Sequence, residues 1–420
     1  AYEIYQCNWS SDVCSSDLMK HSLRPAPLLG LLLAALAGGA QAQIALDSTG
    51  YFRAGPGATS KNANRACYGL SGADFKYRLG NECDFYGEFL FSGTVARKDS
   101  GDTYKIHFMP TIYKGNASDS GDAKWETAQM WAEATGLDFA PQASFWAGKR
   151  YHRGADIHIV DTFFEKLDGT GAGASLPALG GKLDLAFYRA DSSTQDANGH
   201  DNPGSRLNAW LRDVPVNENG TINLLLTATK GEFTGGESGA GFSLRHTQDK
   251  LPFGASNNLW FQYAQGSAGL AGGFGSLTDG SDVKKWRIVD GYQFQANENF
   301  GGQLIAMVEK KKADAGDATV KSIGGRVGYA FTRNFKILAE VGVDRVSPQG
   351  QSSANLTKFT IAPTISAGKG FWERPELRFY VTRAKWNQAA NAAAGADGLT
   401  GLADGKTSGT SYGIQAEVWW

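Results

Sequence analysis

Tyr51 and Arg53 stand two residues apart, as do Lys76 and Arg78, and Tyr86 and Glu88. In an extended chain each pair shares a face and Phe52 points the other way, because side chains alternate with period two. A ring beside a guanidinium or carboxylate breaks no bond, but it can bind. Aromatic faces cover apolar C–H surfaces, and charged groups exchange strong hydrogen bonds with hydroxyls. A neutral sugar offers both surfaces at once. Charges that pair across a strand wall, with scattered interfacial tyrosines, would use the same residue types, so both readings stand at this level.

Signals for catalysis are thinner. His107, His152, His158, His200 and His246 form no His-Glu-x-x-His pair. The run Gly169-Thr170-Gly171-Ala172-Gly173 has no strand–helix context and no following Gly-Lys-Ser/Thr, so it reads as a flexible loop rather than a phosphate cradle. Cys67 and Cys83 are too few for a tetrahedral metal centre, and no metal or cofactor is expected. A hydrolase with Ser, His and an acid converging on a barrel wall stays open, since such triads are recognised by geometry. The net charge of −1 argues against nucleic-acid binding through a basic surface.

The elements that would position these residues are short alternating strands. The last ten residues put Tyr412, Ile414, Ala416, Val418 and Trp420 on one parity, and Ser411, Gly413, Gln415, Glu417 and Trp419 on the other. One oily face, one polar face and a terminal aromatic suit a transmembrane β-barrel, with Trp419 the odd ring on the wet side. Alternation recurs at Phe75, Tyr77 and Leu79 against Lys76 and Arg78, and at Phe85, Gly87, Phe89 and Phe91 against Tyr86 and Glu88. Ile337, Ala339, Val341 and Val343 against Lys336, Glu340 and Asp344 repeat it, as do Phe379 and Val381 around Tyr380. Asn219-Gly220 and Arg333-Asn334 read as tight turns, whereas residues 191–205, 265–281 and 389–411 read as long polar loops.

Composition agrees. Glycine is abundant (54), proline scarce (12) and aromatics reach 12%. A mean hydropathy of −0.32 excludes a bundle of membrane helices but not a barrel, in which only alternate strand residues are apolar. Residues 1–18 read as an upstream or vector-derived leader. Residues 19–42, with a basic start, an apolar run at 28–36 and Ala40-Gln41-Ala42, read as a secretory signal peptide. Residues 43–420 then form a single barrel domain in an oxidising compartment, where Cys67 and Cys83 are expected to pair. At roughly 20 residues per strand and connection, the chain accommodates about 16 to 20 strands, enough for an aqueous channel. A soluble β-sandwich or propeller is the lesser fold choice.

Tyr77-Arg78-Leu79-Gly80-Asn81-Glu82-Cys83, Trp146-Ala147-Gly148-Lys149-Arg150, the glycine run at 169–173 and the final Trp-Trp together resemble the maltoporin family over essentially the whole chain after residue 42. The resemblance implies an all-β, 18-stranded antiparallel transmembrane barrel with an inward-folded constriction loop around residues 152–173. It implies a homotrimer in the bacterial outer membrane that passes maltose and maltodextrins by facilitated diffusion. The aromatic slide would comprise Tyr51, Tyr86, Trp372 in Phe-Trp-Glu-Arg-Pro, Trp419 and Phe253, with Trp260 competing for the last place. Trp125, in Lys-Trp-Glu-Thr, would be the entrance ring that reaches into a neighbouring subunit's channel. The ionic track would comprise Arg53, Arg78, Glu88, Asp156, His158 and Asp161. The family's disulfide falls on Cys67 and Cys83. Three departures bear on the sugar. The constriction tyrosine is Phe163, one track arginine falls at Ala132, and another falls near Gly154, where neighbouring Arg153 would stand in. A general diffusion porin, or one for sucrose or another oligosaccharide, is the alternative; an outer-membrane hydrolase or an adhesive barrel ranks lower.

Overall fold

A computed structural model describes residues 46–61, 66–73, 75–97, 101–115, 121–189, 202–314 and 316–420. The leader, the signal peptide and residues 191–201 of the expected loop lie outside the described residues.

β1 (Leu46–Ala54) and β2 (Gly57–Thr59) form one line broken at Gly55 and Pro56. β3 (Asp84–Arg97), β4 (Thr103–Gly115), β5 (Lys124–Leu137) and β6 (Ala140–Arg150) follow as antiparallel neighbours. The connection after β6 holds β7 (Asp156–Ile157), a 3-10 turn (His158–Val160) and β8 (Thr162–Phe163), and leads into β9 (Gly169–Ala178). β10 (Gly181–Arg189), β11 (Gly204–Asn217), β12 (Gly220–Gly231), β13 (Ser238–Leu251), β14 (Ala255–Gly266) and β15 (Lys284–Asn297) continue the meander. β16 (Phe300–Lys312), β17 (Ala318–Ala330), β18 (Phe335–Pro348), β19 (Ala354–Ser366), β20 (Glu376–Trp386) and β21 (Ser408–Trp419) complete it, with a short helix α1 (Gln388–Ala393) before the last strand. β1 pairs with both β3 and β21, so the sheet closes into an 18-stranded antiparallel barrel. Among the described residues no helix is long and apolar enough to cross a membrane.

The wall is inverted relative to a water-soluble fold. On β18, Lys336, Glu340 and Asp344 are buried while Val341 and Val343 are exposed. On β21, Ser411, Gln415 and Glu417 are buried while Tyr412 and Ile414 are exposed. An apolar outside and a polar inside are what hydrocarbon around and water within require. The alternating strands expected at 85–91, 336–344, 376–381 and 411–419 all form. Connections also divide as expected: residues 138–139, 179–180, 218–219 and 298–299 turn tightly at one end, while 151–168, 267–283 and 387–407 are long at the other.

Two readings change. Residues 75–83 alternate but form no strand. Tyr77 takes a left-handed φ of +42°, which breaks the pleat, and the segment lies inside the barrel. Gly324 of β17 and Gly342 of β18 are register partners, and a Cβ on either would fall within 2.3 Å of the Tyr77 ring. The ring therefore lies flat on a patch of wall without side chains. Tyr77 also hydrogen-bonds Ser322 at 2.7 Å, and the Leu79 amide donates to Glu340 at 2.8 Å. The disulfide Cys67–Cys83 ties the end of this segment back to residue 67. The glycine run at 169–173 is likewise not a loop. It opens β9, where Gly171 packs so closely on β10 that a Cβ would meet the Phe187 carbonyl oxygen at 2.0 Å. The preceding connection thus spans 151–168 instead of 152–173.

Tyr77→Ala is expected to destabilise the folded barrel by about 3–5 kcal/mol, the usual cost of deleting a buried aromatic. Denaturant unfolding of the full chain checks this; an unchanged midpoint would reject the packing role of the ring.

Candidate functional site

The closing seam brings the sequence-expected aromatics together. Tyr51 of β1 lies in register with Trp419 of β21 and with Glu88 of β3, and Arg53 lies in register with Glu417 and Tyr86. The Tyr51 and Tyr86 rings are 6.0 Å apart, and the Arg53 guanidinium sits 5.2 Å from the Tyr86 centroid. Trp372 enters from the connection between β19 and β20, with its ring 6.4 Å from Trp419. His158 stands edge-on to both tryptophans, at 5.5 Å from Trp372 and 5.4 Å from Trp419. Arg374 covers Trp419 at 4.0 Å, so that ring faces inward and is not an outer interfacial anchor.

Three aromatics lie elsewhere. Trp125 is 64% exposed on β5 and makes no ring contact with this group. Phe253 is 70% exposed in a left-handed turn, φ +66°, also apart from it. Trp260 is fully buried against Phe164 at 5.1 Å, so it supports the 151–168 segment from the wall.

Around the rings runs a network of buried charge. Arg53 forks onto Asp84 at 2.7 and 2.6 Å and reaches Glu82 at 2.8 Å. Arg78 reaches Glu82 at 2.6 Å and Asp161 at 3.3 Å, and it donates to the Tyr51 hydroxyl. Lys76 closes on Asp161 at 2.6 Å. Glu417 is the hub: it accepts from Tyr51 at 3.1 Å, pairs with Arg374 at 2.8 Å and binds Arg378. Glu376 joins Arg378, Arg374 and, at 2.7 Å, Lys336. Glu88 accepts from the Tyr86 hydroxyl at 2.5 Å. Arg153 pairs with Asp168 and stacks on Tyr151 at 3.5 Å and Phe163 at 5.0 Å. Asp156 faces Phe163 across the small β7–β8 ladder.

Segments 75–83 and 151–168 are held to each other as well as to the wall. The amides of Arg78 and Lys76 donate to the carbonyls of Ile159 and Val160 at 2.9 and 3.3 Å. Gln303 accepts from the Ile159 amide at 3.1 Å, and Gln262 donates to the Phe164 carbonyl. Burial lowers the His158 imidazole to about 3; Glu417 opposes that shift and Arg78 reinforces it. The ring is therefore neutral near pH 7. Arg78 faces Nδ1 at 3.3 Å, while Arg374 at 3.5 Å and Glu417 at 3.6 Å face Nε2, so both ring nitrogens stand among charged partners. Burial works against the Asp161 charge too, but Arg78, Lys76 and Arg53 together hold that carboxyl well below its usual range.

Sequence reading missed Lys76, Glu82, Asp84, Arg374, Glu376, Arg378 and Glu417 as members of one network. The inward parity of β20 and β21 signals Glu376, Arg378 and Glu417; nothing in the spacing reveals their partners. Ala132 points outward, so no track residue can stand there. Trp131 points inward beside it, and Arg150 lies over its ring at 4.4 Å.

The sequence profile of the LamB porins matches residues 46–420. This chain belongs to the LamB porin family. The porin is similar in fold to OccAB1 of Acinetobacter baumannii, with TM-score 0.53 and 10% identity over 89% of this chain and 96% of that one. The anion-selective porin of Comamonas acidovorans also matches, with TM-score 0.48 and 10% identity over 90% and 100% of the two chains. Family and fold together make this LamB porin an outer-membrane β-barrel of the channel-forming kind.

Two outcomes follow. Glu417→Gln leaves Arg374 and Arg378 short of a buried counter-charge and is expected to cost the porin about 3–5 kcal/mol in denaturant unfolding. The folded His158 refuses a proton until about pH 3, whereas the unfolded ring takes one near pH 6.5. Its stabilising contribution is thus full above pH 6.5 and declines as pH falls toward 3. His158→Asn should therefore lose less stability than wild type between pH 7 and 4; equal losses would dismiss this group.

Proposed function

We propose that this LamB porin carries maltose and maltodextrins across the outer membrane by facilitated diffusion, as a homotrimer, with segment 151–168 narrowing the lumen. The observation that carries the reading is the succession Tyr86, Tyr51, Trp419 and Trp372 along one seam, flanked by Arg53, Arg78, His158, Asp161 and Arg374. Each glucosyl ring would ride on an aromatic face while its hydroxyls exchange hydrogen bonds with the ionic groups. Because nearly every charge in the path is already paired, the wall offers many charge-assisted bonds with little net charge. That favours a neutral polyol over an ion. Binding of this kind is strong enough to recruit solute and shallow enough to release it at the next ring. No proton or bond is moved in the process.

Phe163 and Arg153 would set the narrowest point, where the missing tyrosine hydroxyl relaxes the choice of sugar. Trp125, exposed on the isolated chain, would reach toward a neighbouring subunit.

Single-channel recording in planar bilayers tests the reading. Maltotriose at millimolar concentration should block current reversibly. Tyr86→Ala and Trp419→Ala should each weaken the blockade about tenfold, equivalent to about 1.4 kcal/mol, while leaving the trimer intact. Open conductance without blockade by any oligosaccharide would instead indicate a general diffusion porin. Preferential blockade by sucrose would change the sugar, and ester turnover by the purified protein would favour a hydrolase.

A further inference from the structure

Four cations stand on the side of the barrel facing away from the lumen. Lys321 of β17 and Arg345 of β18 both point outward, are exposed, and lie directly across from each other in register. Like charges so placed repel unless something between them carries the opposite sign. Arg345 meets only the hydroxyls of Ser347 at 3.3 Å and Ser353 at 3.1 Å. Two strands away, Arg383 and Lys385 of β20 share the same outward face. Arg383 meets only Thr410 at 2.8 Å and Ser408 at 2.9 Å. None of these four cations has a carboxylate within ion-pair distance among the described residues, whereas Arg53, Arg374 and Arg378 in the lumen are tied to acids.

Their height is informative. All four lie within a few residues of the long-connection end, near 313–317, 349–353 and 387–407. In outer-membrane barrels that is the extracellular end. At the opposite end the same wall carries rings, with Tyr329–Phe331 at 5.0 Å and Phe331–Phe335 at 6.1 Å, as an interfacial aromatic girdle does. The upper rim presents cations where the lower presents rings.

Directly below Lys321 and Arg345 the wall is dented, and Arg383 is level with this dent through its register with Phe359. A groove of about 550 Å³ is lined by Leu304, Ala306, Ile323, Ala339, Val341 and Phe359. Ile323 and Gly325 follow Lys321 at successive outward positions, so the groove starts about 7 Å below the charge. Asp290 borders it, with its carboxylate held by the Asn257 amide. Paired cations at the surface above an apolar slot are the complement of a phosphate head joined to an acyl chain.

We propose that the outer face of β16–β20 binds a bis-phosphorylated glycolipid of the outer leaflet. One phosphate lies between Lys321 and Arg345, the other at Arg383 and Lys385, and one acyl chain fills the groove. The second pair stands two strands from Arg345, about 10 Å across the sheet, and is offset along it, because Arg345 is in register with Asn355 while Lys385 and Arg383 are in register with Thr357 and Phe359. Two separate cation pairs match two phosphates on one sugar core better than a single-phosphate lipid. The site serves anchoring and orientation in the leaflet and is independent of the sugar path.

The test uses the full-length porin in detergent, with hexa-acylated lipid A, its dephosphorylated form and phosphatidylglycerol as probes, and native mass spectrometry plus thermal shift as readouts. Bis-phosphorylated lipid A should bind and stabilise at least roughly tenfold more tightly than the dephosphorylated form, and K321A/R345A/R383A/K385A should abolish that difference. Ala306→Phe, which fills the groove and leaves every cation, should weaken binding while the barrel keeps its heat-modifiable migration, so a folding defect in the quadruple variant does not decide the matter. Equal binding of phosphatidylglycerol, indifference to the phosphates, or loss of the trimer in place of lipid binding would each overturn the proposal. Sugar blockade should be unchanged in both variants.

Discussion

A chain in hydrocarbon has no water to satisfy its backbone, so every N–H and C=O at membrane depth must find a partner in the protein. For strands this means closure, and closure here falls on the pairing of β1 with β21. The seam that completes the cylinder is also the seam that assembles the candidate site. Tyr51 meets Trp419 across it and Arg53 meets Glu417, residues from opposite ends of the described chain. The strand that ends the chain is thus a structural stave and a lining element at once.

Closure creates an interior that is polar but crowded. Two connections, 75–83 and 151–168, lie against the wall and bond to each other through Arg78–Ile159 and Lys76–Val160. The glycines beneath Tyr77 let the first press flat, and Trp260 and Gln262 support the second. Taking this many charges out of bulk water is tolerable only because each is shared among several partners. Removing one leaves its neighbours uncompensated, whereas the intact set costs little. Glu417 shows the consequence: its carboxylate serves Tyr51, Arg374 and Arg378 together, so position, charge state and ring orientation are set as a unit. Outside, the requirement reverses. Acyl chains accept the exposed valines, isoleucines and phenylalanines, and cations belong only where the wall reaches the head groups.

Residue order made a good deal of this legible and misled in particular places. Strict alternation at 336–344 and 411–419 foretold both the strands and which face of each is buried, because a pleat leaves no other choice. The same alternation at 75–79 foretold a strand that does not exist. Tyr77 adopts a left-handed backbone there, since its ring gains a glycine-floored wall patch that no local pattern reveals. The glycine run at 169–173 looked like a loop and is a strand, because tight packing against β10, not flexibility, is what its glycines supply. Phe253 stands apart from the ring path, and Ala132 faces outward. A motif match does not carry a side-chain direction.

By themselves, the residues in order determined the barrel class, the parity of its long strands, the two kinds of connection and the pair of cysteines. All of these follow from local geometry: period two, turn chemistry and hydropathy act over a few residues. Only the tertiary structure decided which charges meet, that Glu417 is their hub, that His158 sits neutral between two tryptophans, and that residues 75–83 line the interior. Those features depend on closing a ring from strands hundreds of residues apart, and no periodicity along the chain encodes who stands across the water.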